Sequence, residues 1–231
     1  MCGRFTLTKS MDEIRERFDF VTDLAELDLR YNIAPTQYTP VIVYQDGVNV
    51  LKKMRWGLIP SWAKEERIGY RMINARAEEI DRKPTFRPLL PRRRCLVLAD
   101  GFYEWEKRGQ GKGRVRIPYR FTLKDESPFA FAGLWDKWRS PEGEELETLT
   151  IITTRANKLV SAVHNRMPVI LRPEDINRWV DTSYRNVREL KNLLTPYPSE
   201  EMKMYRVSTR VNSPDFDSPE CVEKVEDQVS T

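Results

Sequence analysis

Cys2 is the first residue of this chain whose position gives it unusual chemistry. Loss of Met1 leaves a free α-amine and a thiol on one residue. An α-amine titrates at about 7.7–8.0 and a thiol at about 8.5, so both supply a nucleophile near neutral pH. A 1,2-aminothiol condenses with an aldehyde: the amine forms an imine, and the sulfur closes a five-membered thiazolidine. A deoxyribose that has lost its base is such an aldehyde once its ring opens. The other use of such a thiol is peptidase chemistry, which requires a basic partner such as histidine.

Further groups suited to proton transfer and anion binding follow along the chain. The segment Asp100-Gly101-Phe102-Tyr103-Glu104-Trp105 directly follows an apolar run, 95–99. A carboxylate between aromatics at a strand end is desolvated, which raises its pKa and suits it to moving protons. His164, the one histidine, lies in Ala162-Val163-His164-Asn165-Arg166-Met167-Pro168. Imidazole transfers protons at neutral pH, although a lone histidine is also commonly structural. In Met72-Ile73-Asn74-Ala75-Arg76-Ala77-Glu78, Asn74 both donates and accepts hydrogen bonds and Arg76 has the fork for a phosphate. Arg55-Trp56 and Trp62 stand near Arg71, Arg76, Arg82 and Arg87. Stacking aromatics beside phosphate-binding arginines suit single-stranded nucleic acid.

The elements that must position these groups are mostly strands. Residues 2–8 read as a short strand, and Ser10 with Glu13 forms a capping box for a helix bearing Ile14 and Phe18. Residues 31–39 read as a loop. The β-rich runs 41–44 and 48–54 flank Asp46-Gly47, a hairpin turn signal. Further strands are expected at 95–99, 119–123, 129–134, 149–154 and 204–207, with helices at 173–180 and 184–194. Regular strand–helix alternation is absent, so the pattern predicts an α+β fold around a mixed, barrel-like sheet with peripheral helices. No linker-like stretch divides residues 2–231, which predicts a single domain.

Composition excludes several classes. With Cys2, Cys95 and Cys221 and no Cys-x-x-Cys, neither a disulfide framework nor a metal site is expected. No run of about 18 apolar residues occurs and the amino terminus lacks a secretory apolar stretch. A cytoplasmic protein without cofactor or metal, and monomeric, is the expectation. The net charge of +4 is unevenly spread. Residues 52–120 hold 19 Lys/Arg against 8 Asp/Glu, whereas 215–231 hold 6 acids against 1 lysine. A basic centre of this kind suits a polyanion.

Together these segments resemble the SRAP (SOS response-associated peptidase) family. The matching stretches are Met1-Cys2-Gly3-Arg4-Phe5, Arg30-Tyr31-Asn32-Ile33-Ala34-Pro35-Thr36, Arg55-Trp56-Gly57-Leu58-Ile59-Pro60 and Ile73-Asn74-Ala75-Arg76-Ala77-Glu78. Gly101-Phe102-Tyr103-Glu104-Trp105, Phe131-Ala132-Gly133-Leu134-Trp135, Thr153-Thr154-Arg155-Ala156-Asn157 and His164-Asn165-Arg166-Met167-Pro168 continue the series. The resemblance covers nearly the whole chain and implies a shield for abasic sites in single-stranded DNA, made by a thiazolidine DNA–protein crosslink through Cys2. It implies that Asn74 hydrogen-bonds the linked sugar, Glu104 handles protons at sugar and amine, and His164 assists ring opening, Schiff-base chemistry and crosslink reversal. Arg4, Arg76 and Arg166 resemble the family's phosphate-binding arginines. Pro35, Trp56 and Trp62 lie in segments used near unstacked bases. An AP-lyase side reaction is expected, because an iminium acidifies the neighbouring C2′ protons. The stretch from Lys107 to Arg116 resembles a variable hairpin loop, and the acidic tail after Asn212 resembles the compact bacterial form. Two other readings stand beside this one: a cysteine peptidase using Cys2 and His164, at least on its own first residue, and a non-covalent reader of modified or single-stranded DNA.

Overall fold

The computed structural model describes residues 2–109 and 115–226. Met1, the middle of the 107–116 loop and the last five residues of the acidic tail lie outside them. Near the amino terminus a short strand, β1 (Phe5–Leu7), leads into helix α1 (Met11–Arg15). The expected capping box closes this helix: Ser10 Oγ accepts from Glu13 N–H, and Glu13 Oε2 accepts from Ser10 N–H at 2.8 Å. Strand β2 (Arg30–Ile33) replaces part of the loop expected at 31–39, because its backbone pairs with β1.

The hairpin of β3 (Tyr38–Gln45) and β4 (Val48–Trp56) turns at Asp46 and Gly47, whose φ values are 51° and 89°. Two consecutive positive φ values make the tight turn whose twist matches the flanking strands. A three-residue strand, β5 (Asn74–Arg76), precedes the wholly buried β6 (Arg94–Ala99). Then come β7 (Gly101–Arg108), β8 (Val115–Leu123), β9 (Phe129–Arg139), β10 (Glu145–Arg155), β11 (Arg166–Pro168) and β12 (Met202–Arg206). Several strands outrun their apolar stretches, because ladder bonds continue into the polar ends of β9 and β10. Residues 101–108, expected to follow a strand, are themselves a strand that pairs with both β1 and β8.

Strands β4, β3, β6 and β9 run in order, and β10 pairs with both β9 and β4, closing a five-strand ring. The β4–β10 contact is parallel and the other four are antiparallel, so the barrel is mixed and mainly antiparallel. Its wall is buried on both faces: Val41, Phe131, Leu149 and Ile151 on one side and Leu96 and Leu98 on the other are all essentially without solvent contact. The second sheet has the order β12-β8-β7-β1-β2 and lies against the barrel. Phe5 of β1 meets Trp56 of β4 and Phe131 of β9 edge-on, at 5.1 and 5.6 Å between ring centroids. Helices α2 (Ile176–Val180) and α3 (Val187–Asn192) are shorter than expected. Pro173–Asp175 forms a 3-10 turn ahead of α2, and Asn186 caps α3 by accepting from Glu189 N–H, which leaves 184–186 outside. This is an α+β fold with a barrel core and peripheral helices.

Candidate functional site

The site forms where the second sheet meets the barrel. Pairing of β1 with β7 sets Phe5 opposite Phe102, and Tyr103 N–H donates to Arg4 O at 3.0 Å. The same register carries Gly3 and Cys2 alongside Glu104 and Trp105. From the barrel side, β10 carries β5 and β11 on its edge. It thereby places Asn74 and the His164 turn beside that strand end. A cavity of about 460 Å³ opens here, lined by Gly3, Arg4, Pro35, Glu104, Trp105 and His164, with Lys107, Arg116 and Asn212 at its edges.

Cys2 is fully buried, and Asn74 Nδ2 donates to its carbonyl at 2.8 Å. Asn74 Oδ1 is buried without a hydrogen-bond partner among the described residues. Buried polar atoms are nearly always paired, so an orphaned acceptor marks a place for a donor such as a ligand hydroxyl. Burial pushes the Cys2 thiol above its ordinary range, and the neighbouring Glu104 charge adds to the effect. The thiol therefore stays protonated until a base removes its proton.

Glu104 is 3% exposed, and burial pushes its carboxyl up to about 7, against the pull of cationic groups that include Arg116 and Lys107. A carboxyl poised near the working pH is suited to both giving and taking protons. Burial lowers the His164 pKa, so its imidazole is neutral at pH 7. Arg166 N–H donates to His164 Nδ1 at 3.0 Å. Arg166 O lies 3.2 Å from the same ring nitrogen, so the Arg166 backbone holds the imidazole at Nδ1. His164 N–H in turn donates to Val160 O at 2.9 Å, which holds the turn in place.

The lip of the cavity is built from strained backbone. Thr36 has φ 75°, a left-handed conformation costly for a β-branched residue, and its N–H donates to Trp56 O at 2.7 Å. This tie fixes Pro35 at the opening. Arg4 is fastened from behind: its Nη1 donates to Asn32 Oδ1 at 2.9 Å and Val211 O at 2.8 Å. Asn32, fully buried, also donates to the carbonyls of Val211, Ser213 and Phe216, binding the C-terminal segment to β2. Trp105 Nε1 donates to Asn212 Oδ1 at 2.6 Å.

Cys2, Asn74, Glu104, His164, Arg4 and Pro35 thus converge. Arg76 is exposed on β5, paired across to Thr153. Arg166 is engaged by a two-pronged contact with Glu78, at 2.6 and 3.0 Å, and by Thr153 O at 2.6 Å. A phosphate reaching it must displace Glu78. Trp56 requires correction: it is fully buried, its Nε1 donates to Ile73 O at 2.8 Å, and its ring packs on Phe5, so it is core and offers no face to a base. Trp62 is 63% exposed and lines a separate groove of about 740 Å³ with Tyr70, Arg67 and Arg71. Asn32 and Asn212 were missed as site-shaping residues. Nothing local marks them, because their partners lie more than a hundred residues away.

Among the described residues, no group of three or more His, Cys, Asp or Glu could hold a metal, and no helix is long and apolar enough to cross a membrane.

Residues 1–214 match the model of a family described as SOS response associated peptidase (SRAP). The chain is 47% identical over 225 residues to the abasic site processing protein YoqW of Bacillus subtilis, covering 96% of this chain and 99% of that one. It is 38% identical to the abasic site processing protein HMCES of Gallus gallus, over 85% of this chain and 66% of the relative. A crystal structure of a protein from Bacteroides thetaiotaomicron superposes with a TM-score of 0.85 at 30% identity, covering 97% of this chain and all of the other.

Proposed function

The chain belongs to the SRAP family, and from that premise we propose that it processes abasic sites in DNA by bonding to them covalently through Cys2. The observation that carries the reading is the cavity shared by Glu104, poised near pH 7, and His164, with Cys2 held beside it by Asn74. The substrate is single-stranded DNA containing an abasic site, and residues 2–231 act as one monomeric domain in the cytoplasm after Met1 is removed. No cofactor or metal takes part.

In this mechanism Glu104 assists opening of the sugar hemiacetal and accepts a proton from the Cys2 amine. The amine adds to the C1′ aldehyde, giving a carbinolamine. Proton donation to its hydroxyl, from Glu104 or from His164, expels water and leaves an iminium. The Cys2 thiol then loses its proton to Glu104 while sulfur bonds to C1′, and the thiazolidine closes. The balance is aldehyde plus aminothiol giving thiazolidine plus one water. Asn74 Oδ1 receives a hydroxyl of the opened sugar. Loss of a C2′ proton from the iminium is the competing lyase route, and protonation of the thiazolidine sulfur begins reversal.

A peptidase reading requires a ready thiolate, and burial of Cys2 opposes it. The test is a denaturing gel of the Met1-free protein, confirmed by intact mass, with a single-stranded oligonucleotide carrying one abasic site. A heat-stable crosslink is expected that needs both the abasic site and Cys2 and is lost in Cys2→Ala. An undiminished crosslink in Cys2→Ala would overturn the proposal, and no crosslink from the wild-type chain would leave a non-covalent reader.

A further inference from the structure

Lys107 and Arg116 stand directly opposite each other in the β7–β8 ladder. Like charges at facing positions of an antiparallel pair repel and destabilise it. Both side chains are exposed at the edge of the cavity, and among the described residues neither pairs with a carboxylate. Their neighbour Arg108, by contrast, pairs with Glu106 at 2.8 Å. A third cation joins them: the Arg116 and Arg4 guanidiniums lie 5.4 and 6.0 Å from the Trp105 ring centroid. Arg4 is held below its usual range, first by burial and then by the charge of Arg116. Its fork is already fixed by Asn32 and the carbonyls of Val211 and Asn212, so it loses little freedom on meeting a ligand.

Two guanidiniums around one indole and Lys107 line this cavity against a single carboxylate among the described residues, Glu104, so the cavity keeps an excess of positive charge. We propose that Lys107 and Arg116 of the hairpin, together with Arg4, bind a backbone phosphodiester of the DNA strand beside the reacting nucleotide. The inference rests on the function proposed above, because the phosphate sits in the cavity that holds Glu104 and His164. It gives the hairpin arms a role that their sequence did not reveal. The facing like charges are retained because a phosphate between them turns repulsion into attraction.

The test uses the full chain and an oligonucleotide carrying a tetrahydrofuran abasic analogue, which has no aldehyde and cannot crosslink. Equilibrium affinity is measured across a salt series. Each phosphate contact on a single strand contributes a slope of about 0.7 in log K against log salt. The double variant Lys107→Gln/Arg116→Gln is expected to bind more weakly and to lose about 0.7 from the slope, the share of one phosphate. Each single variant loses about half as much, and Arg108→Gln keeps the wild-type slope. Thermal midpoints of the hairpin variants are expected to hold or rise, because a repulsive pair is removed. Salt-dependent binding by the wild type with an unchanged slope in the double variant overturns this site alone. Absence of salt-dependent binding by the wild type overturns the proposed function with it.

Discussion

Asp100 and Glu104 lie four residues apart across the β6–β7 bend, and each is 3% exposed. Their surroundings differ. Asp100 accepts from Thr6 Oγ1 at 2.5 Å, from the N–H of Thr8 at 3.1 Å and from the Thr8 hydroxyl, and it pairs with Arg120 at 3.3 Å. Arg120 is itself buried and donates to Tyr205 and Thr6. That carboxylate joins β1, β7 and β8 into one sheet. Glu104 instead borders a cavity, and burial lifts its carboxyl to about 7. Burial alone therefore does not identify a functional acid. A desolvated carboxyl aimed at open space has its protonation tuned, whereas one enclosed by donors and a counter-charge holds structure together.

The largest expected effect tests this contrast directly. Glu104→Gln should slow crosslink formation by about 10²–10⁴-fold, the usual worth of a positioned acid–base group, with little loss of stability. Asp100→Ala should cost about 3–5 kcal/mol of stability, because it strands a buried arginine. Rates from single-turnover gels and stabilities from urea unfolding check both, and an exchange of the two phenotypes would end the comparison.

The pH dependence sharpens it. The Glu104 carboxyl rises from an ordinary 4.5 to about 7 in the folded chain. The folded state then holds a proton that the unfolded state releases. Its contribution to stability is thus complete below about 4.5 and is lost as pH rises towards 7, by on the order of 3 kcal/mol. Crosslinking should rise over the same approach to neutrality, as the carboxylate forms. Comparing wild type with Glu104→Gln in urea unfolding between pH 5 and 8 isolates this contribution, and parallel pH profiles for the two proteins would refute it.

The smallest expected effect is that of Trp62, with Trp56 as its counterpart. Trp62→Ala should weaken binding of single-stranded DNA by about 1–3 kcal/mol, as loss of one stacking platform does, and leave the unfolding midpoint in place. Trp56→Ala should act the other way, costing about 3–5 kcal/mol of stability as a large core truncation does. Fluorescence anisotropy and urea unfolding on the pair separate the roles.

The sequence by itself carried the chemistry and much of the local structure. An aminothiol at position 2, a carboxylate among aromatics and a histidine before Arg166 are reactive by type, and the matching segments in order carried the family. Ser10 with Glu13, and Asp46 with Gly47, form their cap and turn from neighbouring residues alone, so a short window contains the cause. Tertiary structure decided the rest. Trp56 and Trp62 look alike in sequence, yet one is sealed against Phe5 and the other faces solvent. The closure of β10 onto both β9 and β4 and the reach of Asn32 to the C-terminal segment are invisible locally. Each depends on register and burial set by partners distant in the chain, and desolvation, which tunes Glu104, exists only once those partners have assembled.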